Sequence, residues 1–256
     1  MARIDNHQSH IEIKRPNIIE RQDYKPAWPQ EEFMVTLLRR YIEEILFTYC
    51  QPVTSNSRVL DVGCGRQPFR INLEKLGYIY SSLDAQQNPE SSVNIVCQID
   101  KILPPQMIDL GCFDFIFCTE VLEHVADWDM AFSNFTKLLA SGGKLLITCP
   151  HFYQLHEEPY DFWRPTPYAL KYFGNRFRLK ILHQVQAGDA WDVLGTLIAN
   201  CHPTPLSKSF SNCFLNIIVL MFGHILFKII ASRRLQANVK LNSPLYMSNI
   251  ILFEKQ

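Results

Sequence analysis

The sequence lacks net charge: lysine plus arginine and aspartate plus glutamate both number 25 in 256 residues. A balanced chain raises no global field toward a polyanion, so no nucleic-acid partner is expected. It also lacks any CxxC pair, although cysteines stand at 50, 64, 97, 112, 118, 149, 201 and 213. With several of them inside apolar runs, they are expected to be reduced, mostly buried thiols of a cytoplasmic protein. The opening MARIDNHQSH has no apolar segment, so no secretory signal is expected. A fourth absence is more specific. After Gly63 and Gly65 come Arg66, Gln67 and Pro68, so the third glycine of a dinucleotide fingerprint is missing.

What is present is an alternation of two periodicities. Residues 1–29 are polar, with prolines at 16, 26 and 29, and are expected to be an arm over the surface. From Gln30 the apolar residues Phe33, Met34, Leu37, Leu38, Tyr41, Ile42, Ile45, Leu46 and Tyr49 recur at helical spacing until Pro52. Strands are expected at 58–62, 78–84, 93–100, 113–119 and 144–149. Helices are expected at 68–76, closed by Gly77, and at 128–140, with Asp127 as N-cap. Apolar strands separated by helices imply an α/β fold, a doubly wound and mainly parallel sheet with helices on both faces. Ligands of such sheets sit beyond the carboxyl ends of the strands, where the strand order reverses.

The residues at those ends are acids and glycines. The stretch VLDVGCGRQPFR bends at Gly63 and Gly65 just after Asp61, and Pro68 suits the first turn of the following helix. Asp84 and Asp100 end the next two expected strands. Three acidic strand tips make a crevice hospitable to hydroxyls, amines and positive charge, although each alone could equally cap a helix or shape a turn.

The series VLDVGCG, SLD, FDFIFCTEVLEHV and LLASGGKLLITCP resembles the motifs of class I S-adenosylmethionine-dependent methyltransferases, of the kind called methyltransferase type 11, over about residues 59–186. The resemblance implies a seven-stranded Rossmann-like sheet whose last strand is antiparallel. It also implies that Asp61, Gly63 and Gly65 surround the methionine part of the cofactor, Asp84 binds the ribose hydroxyls, Ile99 and Asp100 flank the adenine, and Glu120 lines the same pocket. The chemistry agrees, because S-adenosylmethionine carries a sulfonium and no phosphate.

Methyl transfer needs alignment, plus removal of a proton when the acceptor is a hydroxyl or amine. The segment PHFYQLHEEPYDFWRPT, residues 150–166, is dense in polar and aromatic side chains beyond a core strand, as a binding loop is. His156 is the first candidate base, His151 the second, and Asp161 the third catalytic candidate, although an Asp161–Arg164 pair at i and i+3 would more simply hold the loop. His151, His156, Glu157 and Asp161 could all ligate a metal, but their spacing matches no recognised site, and no metal is expected.

In the last third, a helix is expected at 166–173, ended by Gly174, with strands at 177–185 and 246–253. Residues 30–256 are therefore taken as one domain in which 186–244 form an apolar helical insertion before the last strand. Within it, FLNIIVLMFGHILFKIIA, residues 214–231, is interrupted by Asn216, His224 and Lys228. Those interruptions disfavour a membrane span; a cap over the pocket, a homodimer contact or a helix in a membrane interface fits better. The expected function is methyl transfer from S-adenosylmethionine to the oxygen of a small organic acceptor, apolar or lipid-linked. The rivals are a non-catalytic S-adenosylmethionine-binding protein and an NAD-dependent oxidoreductase, the latter opposed by the missing glycine.

Overall fold

A computed structural model describes residues 21–28, 31–105, 107, 112–201, 203–205 and 207–256. The rest of the expected arm, 1–20 and 29, lies outside the described residues. Helix α1 (Val35–Tyr49) places Leu38, Ile42, Ile45 and Leu46 on one buried face, as their spacing requires. The chain then alternates through β1 (Arg58–Val62), α2 (Arg70–Leu76), β2 (Ile79–Asp84), β3 (Ile95–Val96), β4 (Phe113–Thr119), α3 (Trp128–Leu138), β5 (Leu139–Pro150), α4 (Pro167–Arg176) and β6 (Leu179–Ala187). Three helices follow, α5 (Ala190–Asn200), α6 (Phe210–Ile230) and α7 (Arg233–Asn238), before β7 (Ser248–Lys255).

The strands form one seven-stranded sheet in the order β3-β2-β1-β4-β5-β7-β6, antiparallel only at β7. Alternate residues of β1 feed two cores. Leu60 and Val62 join Phe132, Phe135 and Leu170, and Val59 joins Leu38, Ile42 and Leu73 on the opposite face. The order reverses beside β1, whose neighbours β2 and β4 are both parallel to it, which opens a crevice at their carboxyl ends.

Several boundaries depart from the sequence expectation, each for a visible reason. β3 covers only Ile95–Val96 because Asn94 and Ser82 exchange side-chain hydrogen bonds with each other's backbone N–H, at 2.9 and 3.0 Å, where ladder bonds would run. Asp100 therefore stands in a turn, not at a strand end. β5 starts at Leu139, earlier than expected, because Leu139 already pairs with Phe113 before the ladder resumes at Lys144. Gly77 does close α2, in a left-handed conformation at φ 105°, and Asp127 caps α3 by accepting the Met130 N–H at 2.9 Å. All eight cysteines are free thiols; Cys50, Cys64, Cys118 and Cys149 are buried.

Gly174 does not end α4 but lies buried inside it. A Cβ there would stand 2.2 Å from Cε1 of Phe253, a ring with no exposure of its own. Gly174→Ala is expected to destabilise the protein by about 1–3 kcal/mol, even though alanine is favoured over glycine in helices by about 1 kcal/mol. Urea denaturation of the two proteins checks the sign; a more stable variant would remove the packing constraint.

Candidate active site

A cavity of about 410 Å3 lies in the crevice beyond β1, β2 and β4. Asp61, Gly63, Gly65, Asp84, Ile99, Asp100, Glu120 and His156 all line it, so eight of the ten expected site residues share one space. His151 and Asp161 do not line it.

The glycine bend is held by the acid of the next strand. Gly63 and Gly65 take φ of 68° and 48°, a region that disfavours side chains. The Asp84 carboxylate accepts the Gly65 N–H at 2.9 Å and the Gln86 N–H at 3.2 Å. A Cβ on Gly63 would stand 2.3 Å from Val121 Cγ2, whereas one on Gly65 would meet nothing within 4 Å. The bend is thus closed on its β4 side and open at Gly65.

Asp61 is 4 % exposed and accepts a hydrogen bond from the Tyr80 hydroxyl at 2.6 Å. Burial raises its pKa to about 7; the Tyr80 bond opposes the rise and Asp84 adds to it. Glu120, in a left-handed conformation at φ 53°, turns its Oε1 to the hydroxyls of Thr148 and Ser248, at 2.8 and 3.2 Å. Burial raises it to about 7 as well. Ile99 packs in the core beside the cavity, and its carbonyl accepts from Asn134 at 2.8 Å. Asp100 accepts the Asp127 N–H at 3.4 Å.

The segment after β5 folds back onto the turn after β4. The Glu123 carbonyl accepts the N–H groups of Phe162 and Trp163, at 2.8 and 3.2 Å, and Val125 accepts the Trp163 indole N–H at 2.9 Å. Asp161 and Arg164 form a two-pronged pair at 2.6 and 2.7 Å. Asp161 also accepts the backbone N–H of His156 at 2.9 Å and lies 3.3 Å from its Nδ1. It holds His156 in place without reaching the cavity. Burial lowers the His156 pKa, His124 lowers it further, and Asp161 pulls the other way. His151 stacks on Tyr246, ring centres 4.4 Å apart, with Nδ1 3.0 Å from the Pro165 carbonyl oxygen.

Sequence reasoning passed over two contributors. Tyr24, from the expected arm, packs on Phe69 at 4.7 Å and lines the cavity with Tyr153. Glu123 is fully buried beside His124 and His156. Its place in EVLEHV, one turn after Glu120, was the available signal.

The Asp61 shift has a consequence for stability. A carboxyl raised in the folded state keeps a proton that the unfolded chain has lost, so its contribution declines as pH rises from the ordinary carboxyl range toward about 7. Asp61→Asn removes that titration. The variant is expected to gain stability relative to the parent between about pH 5 and pH 8, as urea midpoints at both pH values would report; parallel midpoints would refute the buried acid.

A family model for the methyltransferase domain matches residues 31–184. A ubiquinone biosynthesis O-methyltransferase of Coxiella burnetii is 32% identical over 120 residues, covering 43% of this chain and 47% of the relative. One from Xanthomonas oryzae pv. oryzae is 30% identical over 103 residues, covering 37% and 43%. The chain spans less than half the length of these curated relatives. Among solved structures, a SAM-dependent methyltransferase of Archaeoglobus fulgidus superposes with a TM-score of 0.50 at 17% identity, over 88% of this chain and 97% of that one. Geranyl diphosphate C-methyltransferase of Streptomyces coelicolor gives 0.53 at 11%, over 91% and 84%. At such identities the structures speak for the fold.

Proposed function

This chain belongs to the methyltransferase domain family, as a class I S-adenosylmethionine-dependent member by fold and motif, and we propose that it methylates an oxygen of a small organic acceptor. The observation that carries the reading is the gathering of Asp61, Asp84, Gly65, Glu120 and His156 around one cavity.

The residues fit S-adenosylmethionine. The open Gly65 backbone leaves room for a ligand tail, and the acidic rim suits an ammonium and a sulfonium while repelling a pyrophosphate. When bound, the cofactor supplies an electrophilic methyl group on a cationic sulfur. Asp61 would hold its ammonium, Asp84 its ribose hydroxyls, and Ile99 and Asp100 its adenine, with Glu120 closing the β4 side. Tyr24, Tyr153 and Phe162 make the remaining wall aromatic, which favours an apolar acceptor. His156 is the proton acceptor in this proposal. Asp161 and the Gln154 carbonyl hold the proton on Nδ1 and leave Nε2 as the base. The relatives named as O-methyltransferases support oxygen as the acceptor atom.

The Asp61 carboxylate must be ionised to pair with an ammonium. Affinity for S-adenosylmethionine is therefore expected to fall as pH drops below about 7, by up to about tenfold per pH unit, and Asp61→Asn is expected to weaken binding and flatten that dependence. Calorimetry across pH checks both. Formation of S-adenosylhomocysteine on adding fractionated small hydroxyl compounds and lipids then separates an enzyme from a mere binding protein; cofactor binding with no turnover on any fraction would defeat the catalytic reading.

The insertion suggests where the acceptor comes from. Only Ile230 of α6 is buried, and Phe214, Ile218, Phe222 and Ile225 are among its many exposed apolar side chains. Among the described residues α6 alone has the length and composition of a span, yet the topology speaks against a single crossing. β6 precedes it and β7 follows it, and the two pair antiparallel along their length, so both ends of α6 stay on one side. A partner helix would cover one face, whereas hydrocarbon covers every face that sinks into it. The favoured reading is a helix embedded in a membrane interface, which gives access to lipid-linked acceptors. The protein is expected to co-float with phospholipid vesicles and Ile218→Glu with Phe222→Glu to abolish this; a stable dimer indifferent to vesicles would replace the membrane by a second copy.

A further inference from the structure

Beside the cavity, Glu123, His124 and His156 bring one carboxylate oxygen and two imidazole nitrogens within 4.8 Å of one another. Glu123 is fully buried, and its Oε1 has no hydrogen-bond partner. A carboxylate oxygen stripped of water is tolerated when a proton or a cation stands against it. The nearest imidazole nitrogens, His124 Nε2 at 3.8 Å and His156 Nε2 at 4.0 Å, are too far for a shared proton. The separation is that of two donors around a third atom.

Both rings are turned so that Nε2 carries the lone pair. His124 Nδ1 lies 2.9 Å from the Tyr160 carbonyl oxygen, which only an N–H can satisfy. His156 Nδ1 faces the Gln154 carbonyl at 3.2 Å and the Asp161 carboxylate at 3.3 Å. Arg164 Nη2 also lies 3.4 Å from that nitrogen, but its two hydrogens go to Asp161 and Gln154 at 2.7 and 3.0 Å. Imidazoles anchored through Nδ1 by carbonyls and carboxylates are how metal-binding histidines are oriented. The rings meet edge to face at 81°, so the nitrogens converge instead of stacking. A second carboxylate, Glu157 Oε2, stands 4.0 Å from His124 Nε2.

We infer that Glu123, His124 and His156 form a binding site for a divalent transition-metal cation of the zinc or cobalt kind, with Glu157 the next carboxylate on its His124 side. Donors around a tetrahedral ion with bonds of about 2.0–2.1 Å lie roughly 3.4 Å apart, so the carboxylate and each imidazole need to close by about half an ångström, and the widest pair, within 4.8 Å, by up to about 1.4 Å. Two imidazoles and carboxylates select zinc or cobalt over magnesium and calcium, which take all-oxygen sets. The pattern escaped sequence reading because His156 arrives from another strand end. An ion there would make His156 Nε2 a ligand in place of a base, so metal and proton compete for one nitrogen. The site itself does not depend on methyl transfer.

The test uses the full chain, stripped with a chelator, dialysed, and titrated with Zn2+ by calorimetry and with Co2+ by visible absorption. One equivalent is expected to bind, with cobalt bands of a low-coordinate nitrogen–oxygen site, undisturbed by millimolar Mg2+. His156→Gln and His124→Gln are each expected to weaken Zn2+ binding by more than about tenfold, and His151→Gln, outside the cluster, to leave it intact. Because His124 is buried, the half-buried His156 provides the safer variant, with circular dichroism as the folding control. No Zn2+ binding by the parent, equal binding by His156→Gln, or displacement by Mg2+ would overturn the site. S-adenosylmethionine binding measured on the same samples keeps a failure of this site apart from a failure of the methyltransferase reading.

Discussion

The structure depends on β1 pairing in parallel with both β2 and β4. That reversal leaves the carboxyl ends of three strands without crossover helices directly above them, and the chain fills the gap with acids and glycines. The carboxyls are buried or partly buried, and among the described residues no basic side chain pairs with Asp61; the partners found are a tyrosine hydroxyl, serine and threonine hydroxyls and backbone N–H groups. Acids held this way are raised toward neutrality by burial, and a cationic ligand is the natural means of restoring their charge. The same arrangement suits a sulfonium nucleoside better than the phosphates of a dinucleotide.

Much of this was legible in the sequence because the residues concerned are local. Arg58–Val62 and Phe113–Thr119 form strands at the expected bounds since turn-forming residues or an abrupt loss of apolar pattern flank each. Gly63 and Gly65 were legible because a tight bend restricts residue type strongly, and Asp61 and Asp84 because they stand at or near the ends of strands. What failed was set by distant partners. Gly174 looks like a helix stop until Phe253, on the last strand, packs against it. The third strand looks long until two side chains displace its ladder. His151 looks like a cavity residue in the sequence, and its place is set instead by Tyr246, far along the chain, which stacks on it.

Glu123 is the sharpest case. In EVLEHV a glutamate three residues after another suggests a solvated helix face, yet its carbonyl anchors the loop after β5 and its carboxyl faces two histidines. The short 3-10 turn Leu122–His124 carries buried titratable side chains, and the loop after β5 lies against it. Coulombic neighbours compound the effect: burial first, then Glu120, hold Glu123 well above the usual carboxyl range. A titratable cluster so placed is expensive for stability alone, the mark of a functional group.

The insertion and the cavity are joined through three consecutive residues. Phe33 is buried edge-on against Phe227 of α6, at 5.6 Å, and fills the notch that Gly195 leaves in α5. The next two residues, Met34 and Val35, line the cavity. A shift of α6 would press on Phe33, whose chain neighbours form part of the cavity wall. Such a contact is a physical route by which the seating of the apolar helix would bear on the shape of the cavity. If α6 embeds in an interface, the enzyme would hold its acceptor pocket in working shape where the acceptor resides, and the insertion would act on the chemistry without touching the reacting atoms.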